Sequence, residues 1–236
     1  MSRAAGGGSG RRRLLLVPLG STEQHGPHLP PDTDTRIARA WARRVAARIP
    51  GSVVAPALAY GSSGEHQGFP GTLSIGQEAL ELVVVELVRS AADQVDAVAL
   101  LSGHAGNREP LARAVDRLRR EGHDVTARIP TWEREAWPHG VIDAHAGRTE
   151  TSLLLHLSPG VVRRHRLEPG ETAPVEALMT RLRAGGLAAV TANGVLGDPR
   201  GASADEGRRL LADLVDRTVA SLAGPEPDPD RNGAGV

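Results

Sequence analysis

Short apolar runs alternate with amphipathic stretches along most of this 236-residue chain, and few architectures accept that pattern. It is the signature of βα units on a mainly parallel sheet with helices on both faces, a three-layer α/β/α sandwich. Leu14–Leu19 reads as a buried strand. Thr35–Ile49 reads as a helix, with Ile37, Trp41, Val45 and Ile49 on one stripe. Val53–Leu58 reads as a second strand. Gln77–Gln94 follows as a helix with Leu80, Leu82, Val83, Leu87 and Val88 inward. Ala97–Leu101 and Val125–Ile129 complete the strands, with a helix over Arg108–Glu121 between them. Thr149–Leu157 is expected as a buried helix, Ala188–Val195 as a further strand, and Ala204–Leu222 as the closing helix. Residues 12–223 form one domain in this reading. The Gly/Ser/Arg-rich stretch 1–11 and the Pro/Asp/Gly-rich stretch 224–236 are expected to be disordered tails.

Composition then removes whole classes of function. With 28 basic and 28 acidic residues the net charge is zero, so there is no electrostatic footprint for nucleic acid or an anionic membrane. The Arg11-Arg12-Arg13 run reads as a solvated lead-in to the first strand. The absence of Cys excludes a disulfide, a thiolate metal site and a cysteine nucleophile. A metal would rest on His, Asp and Glu, a donor set that suits Zn, Mn or Fe. No apolar stretch approaches the roughly 20 residues of a bilayer span, and the N-terminus lacks the apolar core of a signal peptide. The expected location is the cytoplasm.

In an open α/β sheet, ligands bind at the C-terminal ends of the strands. Four loops fall there: Gly20–Asp34, Tyr60–Ser74, Ser102–Asn107 and Pro130–Arg148. The first holds Glu23, Gln24, His25, His28, Asp32 and Asp34, all able to bind a metal or move a proton. Glu23 and His25 are two apart, so an extended backbone points them to one side. Asp34 opens the next helix and reads either as an ordinary helix cap or as a ligand. His28 reads as a hydrogen-bonding loop residue. His104, between small residues just past a strand, is either structural or a ligand. His145 sits in the fourth loop, and Glu150 begins an otherwise apolar helix. A buried carboxylate there needs a partner, which a metal, Arg148 or Arg36 would supply. Together these residues suffice for two divalent ions sharing a carboxylate, an arrangement that activates water and polarises a carbonyl. No Gly-x-Ser-x-Gly elbow, P-loop or dinucleotide motif competes, so metal-assisted hydrolysis is the reading.

Five ordered blocks resemble the creatininase family: Pro18–Pro30, Asp32–Thr35, Gly64–Ser74, Gly103–Asn107 and Asp143–Ser152. A sixth, Gly194–Pro199, lies nearer the C-terminus. The resemblance implies a three-layer α/β fold, two divalent metal ions per subunit (Zn, Fe or Mn) and a homo-oligomer. It places Glu23, His25, Asp34 and His104 at metal-ligand positions, with Asp34 bridging. Glu150 is the replacement for a family Glu where this chain has Gly106. His145 matches the residue that carries a proton to the leaving nitrogen, and Tyr60, Glu65, His66 and Phe69 are expected to line the rim and contact substrate. Ala144 replaces a family carboxylate, and with Gly106 this argues against creatinine as substrate. Residues 147–156, 194–199 and 206–209 resemble the mycofactocin-system branch, which implies a peptidase. Such a peptidase trims a modified ribosomal precursor peptide and releases its cyclised Val-Tyr-derived C-terminal fragment. The rivals are a hydrolase of creatinine or another small cyclic amide, and a non-catalytic metal-binding subunit of a maturation complex.

Overall fold

The computed structural model describes residues 12–130 and 143–223. Both tails set apart above, and residues 131–142 of the fourth loop, lie outside the described residues. Among the described residues, four strands form one parallel sheet: β1 (Leu14–Leu19), β2 (Ser52–Val54), β3 (Ala97–Ser102) and β4 (Val125–Arg128), in the order β2-β1-β3-β4. β1 is central and pairs Leu14 with Ser52 on one side and with Ala97 on the other. Arg12 and Arg13 of the basic lead-in are pinned at the surface by Asp124 and Asp96.

The two-residue period of the strands divides the core into two halves. Leu14 and Leu16 of β1, with Ala97, Ala99 and Leu101 of β3, face helices α1 (Thr33–Ala46), α4 (Arg148–Leu157) and α6 (Ala204–Ala223). Val17, Leu19, Val98 and Leu100 face the other way, onto α2 (Gln77–Ala91) and α3 (Arg108–Arg120). That is the expected three-layer sandwich. Trp41 fills the first half fully buried, and its indole N–H donates to Thr218 Oγ1 at 3.0 Å, so burying it leaves no polar atom unpaired.

Several expectations need correction. The inward face of α2 is Leu80, Val84, Val85 and Val88, whereas Leu82 and Val83 are exposed. At about 100° per residue, the Leu80–Val84–Val88 stripe turns residues 82 and 83 outward. The second strand ends at Val54, because Pro56 has no N–H for the ladder. The chain nevertheless stays beside β1, with Leu58 N–H donating to Pro18 O at 3.0 Å. No strand forms over Ala188–Val195. Leu187–Ala189 is a 3₁₀ turn, and only Leu196 pairs, in isolated bridges with His145 and Glu171. An additional helix, α5 (Val175–Gly185), was not expected.

Candidate metal centre

The first loop leaves β1 at Gly20 and returns to the sheet edge at Asp34, in the first turn of α1. Asp34 is not the cap: that position belongs to Asp32, and neither residue makes a side-chain capping bond. Instead the buried Asp34 carboxylate accepts a hydrogen bond from Ser21 Oγ at 2.5 Å and sits between two imidazoles. Its Oδ1 is 3.1 Å from His25 Nε2, and its Oδ2 is 3.3 Å from His104 Nδ1. One carboxylate facing two ring nitrogens through separate oxygens has the form of a bridging ligand. Gly103 makes this approach feasible, since a Cβ there would lie 2.5 Å from the Asp34 backbone oxygen.

Glu23 is fully buried at the centre of the site. His104 Nδ1, His66 Nε2 and His145 Nδ1 lie 3.2, 3.3 and 3.8 Å from its Oε1. None of these contacts has hydrogen-bond geometry, and both Glu23 oxygens are without a hydrogen-bond partner. A buried, unpaired carboxylate costs several kcal/mol unless a cation meets it. The rings of His25 and His66 lie each 4.4 Å from that of His145, which closes the imidazole cluster.

Glu150 opens α4, and its Oε2 is 3.8 Å from His25 Nε2. Neither arginine considered as its partner serves. Arg148 is held by Glu206 at 2.8 Å, and Arg36 by Asp32 at 2.8 Å. Glu150 instead accepts the N–H of Ala146 at 2.6 Å. Ala146 has a φ of +51°, the left-handed region that L side chains seldom enter, so backbone strain sits directly beside the carboxylate. Asp143 accepts the Thr149 N–H and so caps the helix that carries Glu150.

The charges follow from this packing. Burial pulls His25 down, but Asp34, with Glu150 and Glu23 behind it, raises it to about 10. His104 is likewise raised well above the imidazole range, as Glu23 and Asp34 outweigh burial. Burial pushes Asp34 up, but His25 and His104 hold it well below the usual carboxylate range. Burial drives Glu150 up to about 8, with the Asp34 charge adding to it and His25 opposing. His66 is lowered to about 4 by burial, and His145 well below its ordinary value by burial and by His25 and His66. Without an ion, protons on His25 and His104 supply the positive charge that the carboxylates require.

A cavity of about 930 Å³ opens over this cluster, with Glu65, Met179, Leu182 and Leu187 among its walls. Of the four rim residues expected from sequence, Glu65 lines it. His66 lines it too, at its floor, buried against Glu23. Tyr60 is half exposed and away from the cavity lining. Phe69 packs against Leu178, Leu187, Val190 and Leu196 in a small satellite core. Phe69 is thus drawn into local packing, whereas Tyr60 lies at the surface. Gly106 also has a clear use. A Cβ there would fall 2.3 Å from Glu65 Oε1, so the Glu65 carboxylate occupies the space a side chain at 106 would need. His28 is not a ligand; its Nε2 is 2.9 Å from Thr151 Oγ1. Sequence reasoning missed the depth of His66 and the bonding of Gln24. The adjacency of Gln24 to Glu23 and His25, two candidate ligands, was the available signal.

No helix of the described residues is long and apolar enough to cross a membrane. A family model described as "Creatininase: Creatinine amidohydrolase" matches residues 4–222. The chain is 52% identical over 224 residues to a mycofactocin precursor peptide peptidase of Mycobacterium ulcerans (strain Agy99), covering 92% of this chain and 87% of that protein. Among solved structures, a mutant creatininase of Zn-Zn type aligns with a TM-score of 0.75 at 28% identity, covering 92% of both chains. A structure named Creatininase Mn aligns with a TM-score of 0.71 at 27% identity, again covering 92% of both. With the same fold, a family match over nearly its whole length and a hydrolase's residues gathered at one sheet edge, the chain belongs to the creatininase family.

Proposed function

We propose that this chain is a metal-dependent peptidase. It cleaves the modified mycofactocin precursor peptide and releases the cyclised Val-Tyr-derived C-terminal fragment, acting in the cytoplasm as a homo-oligomer. The substrate follows from the relative that is 52% identical and carries that name. The observation that carries the metal dependence is Glu23: two buried carboxylate oxygens without hydrogen-bond partners, surrounded by imidazoles. The donors are all nitrogen and oxygen, which suits Zn, Mn or Fe. Glu23, Asp34 and His104 would hold one ion, and His25, Asp34 and Glu150 the other, with Asp34 shared. With these residues holding them, two divalent ions would supply the acidity that activates water and the charge that polarises the scissile carbonyl.

The remaining work belongs to the chain itself. Burial keeps His145 neutral, ready to take a proton and return it to the departing amine. Glu65 stands at the cavity wall within reach of a bound peptide. Creatinine is disfavoured as substrate, because Ala144 and Gly106 replace carboxylates that the resemblance assigns to creatininase. The test is elemental analysis after anaerobic purification, followed by incubation of the loaded protein with the modified peptide and with creatinine. Two divalent ions per chain and turnover of the peptide alone are expected. Metal without turnover of either amide would return the chain to a binding subunit. His145→Ala should keep its metal while peptide cleavage falls by roughly 10²-fold or more.

A further inference from the structure

Gln24 has no acid–base chemistry of its own, yet its side chain is buried and fully bonded. Its Oε1 accepts the Gly26 N–H at 2.9 Å. Its Nε2 lies 3.2 Å from His66 Nδ1, 3.1 Å from Gly194 O and 3.2 Å from His145 Nε2. A backbone N–H only donates, so the atom facing Gly26 must be the amide oxygen, and the orientation of the amide is settled. Gly194 leaves room for this amide, since a Cβ there would lie 2.0 Å from Gln24 Oε1.

Two amide hydrogens then have three neighbours. His145 Nε2 is 2.8 Å from the Gln24 backbone carbonyl, which only accepts. That ring nitrogen therefore carries a hydrogen and cannot receive one from the amide. The amide hydrogens fall to Gly194 O and His66 Nδ1. A ring that accepts at Nδ1 holds its hydrogen on Nε2, and in His66 that atom is 3.3 Å from Glu23 Oε1. In His145 the bare nitrogen is Nδ1, 3.8 Å from the same oxygen.

By spacing alone, Glu23, His66 and His145 would hold an ion. Hydrogen-bond direction says otherwise. We propose that Gln24 is a positioning residue that keeps the hydrogen of His66 on Nε2, the ring nitrogen nearest Glu23, and so keeps that nitrogen off the ions, while His145 Nδ1 stays a bare lone pair. This rests on the proposed function, in which Glu23 is a ligand and His145 carries the proton. It adds which ring nitrogens of His66 and His145 carry hydrogen and which are bare.

The test is ¹⁵N-histidine NMR of the full chain, metal-free and zinc-loaded, with resonances assigned by His66→Asn and His145→Asn. In both states His66 should show a protonated Nε2 and a bare Nδ1, and His145 a protonated Nε2. Gln24→Glu keeps the shape and the acceptor for Gly26 but removes the donor. The His66 hydrogen should then move to Nδ1 and free Nε2 toward the ions. Cobalt-substituted protein should gain an imidazole ligand in its X-ray absorption spectrum. Peptide kcat should fall about 10-fold or more with KM little changed. A wild-type His66 that is protonated at Nδ1, or bound to zinc, overturns the proposal. So does a Gln24→Glu variant that folds and shows unchanged kcat. Should that variant not fold, the wild-type tautomers decide. Failure to bind zinc or to cleave peptide would instead overturn the proposed function, and the tautomers of the metal-free chain would still be read.

Discussion

Across α2 and α3, Arg89 meets Glu86 and Glu121 in open solvent, and Arg113 meets Glu81 beside them. At the C-terminal edge of the sheet, Glu23 and Asp34 are shut away with His25, His66, His104 and His145. Both regions are rich in opposite charges at contact distance, but water decides what each is worth. The helix pairs are screened and can exchange with solvent at little cost. The edge cluster is desolvated, so each charge leans on its neighbours, and an uncompensated one is expensive. Function collects where charge cannot be ignored. The same burial that would destabilise a lone carboxylate gathers groups at this edge that could hold a metal ion.

The largest effect that would test this contrast is Asp34→Ala. Both ions should be lost in elemental analysis, and peptide cleavage should fall to the uncatalysed background. Retention of two ions would remove Asp34 as the shared ligand.

Next is the pH dependence of stability without metal. His25 is raised from 6.5 to about 10, so between those values the folded chain binds a proton that the unfolded chain has released. Its contribution is complete below pH 6.5 and fades as pH rises toward 10. His66 is lowered to about 4, so below 6.5 the unfolded chain takes up the extra proton, and stability falls toward pH 4. Glu150, raised to about 8, opposes the His66 slope below pH 6.5 and adds to the His25 slope above it, so melts of chelator-treated protein should decline chiefly on the alkaline side. Metal-loaded protein should lose the alkaline decline, because the ion replaces the proton on His25. An alkaline decline of equal size with metal bound would contradict the assignment of His25 as a ligand.

A smaller effect is expected for Gly106→Ala, whose Cβ must displace Glu65 and press on His104 Nε2, 2.4 Å away. Zinc affinity by competition titration should drop roughly 10-fold, as when a ligand's supporting shell is disturbed. The smallest is Glu121→Gln on the exposed lattice, which should leave melting temperature, metal content and turnover indistinguishable from the parent protein. A measurable loss of metal there would dissolve the distinction between the two regions.

Much of this was legible from residues alone. The strands of β1 and β3, the helices of α1, α3 and α6, and the convergence of Glu23, His25, Asp34, His104 and Glu150 all follow from local pattern and donor chemistry. Errors arose where a neighbour far along the chain decided the outcome. Leu82 and Val83 had the right residue type for a core but the wrong phase on the helix. Tyr60 and Phe69 had the right type for a pocket, but Phe69 was claimed by Leu178 and Leu187 from α5 and the turn after it, a stretch for which no element was expected. Arg148 was near enough in sequence to pair with Glu150, but Glu206 of α6 took it.

By itself the sequence determined the class of fold and the chemistry available: a two-residue period buries strands, a stripe of apolar residues buries a helix, and a chain without cysteine must bind metals through nitrogen and oxygen. Tertiary structure alone decided the roles. Whether Asp34 caps a helix or faces His25 and His104, and how deep His66 sits beside Glu23, depends on which loops close over one sheet edge and how much water they exclude. Residue type sets what a group can do, whereas burial and hydrogen-bond direction, which are long-range properties, set which of those things it does.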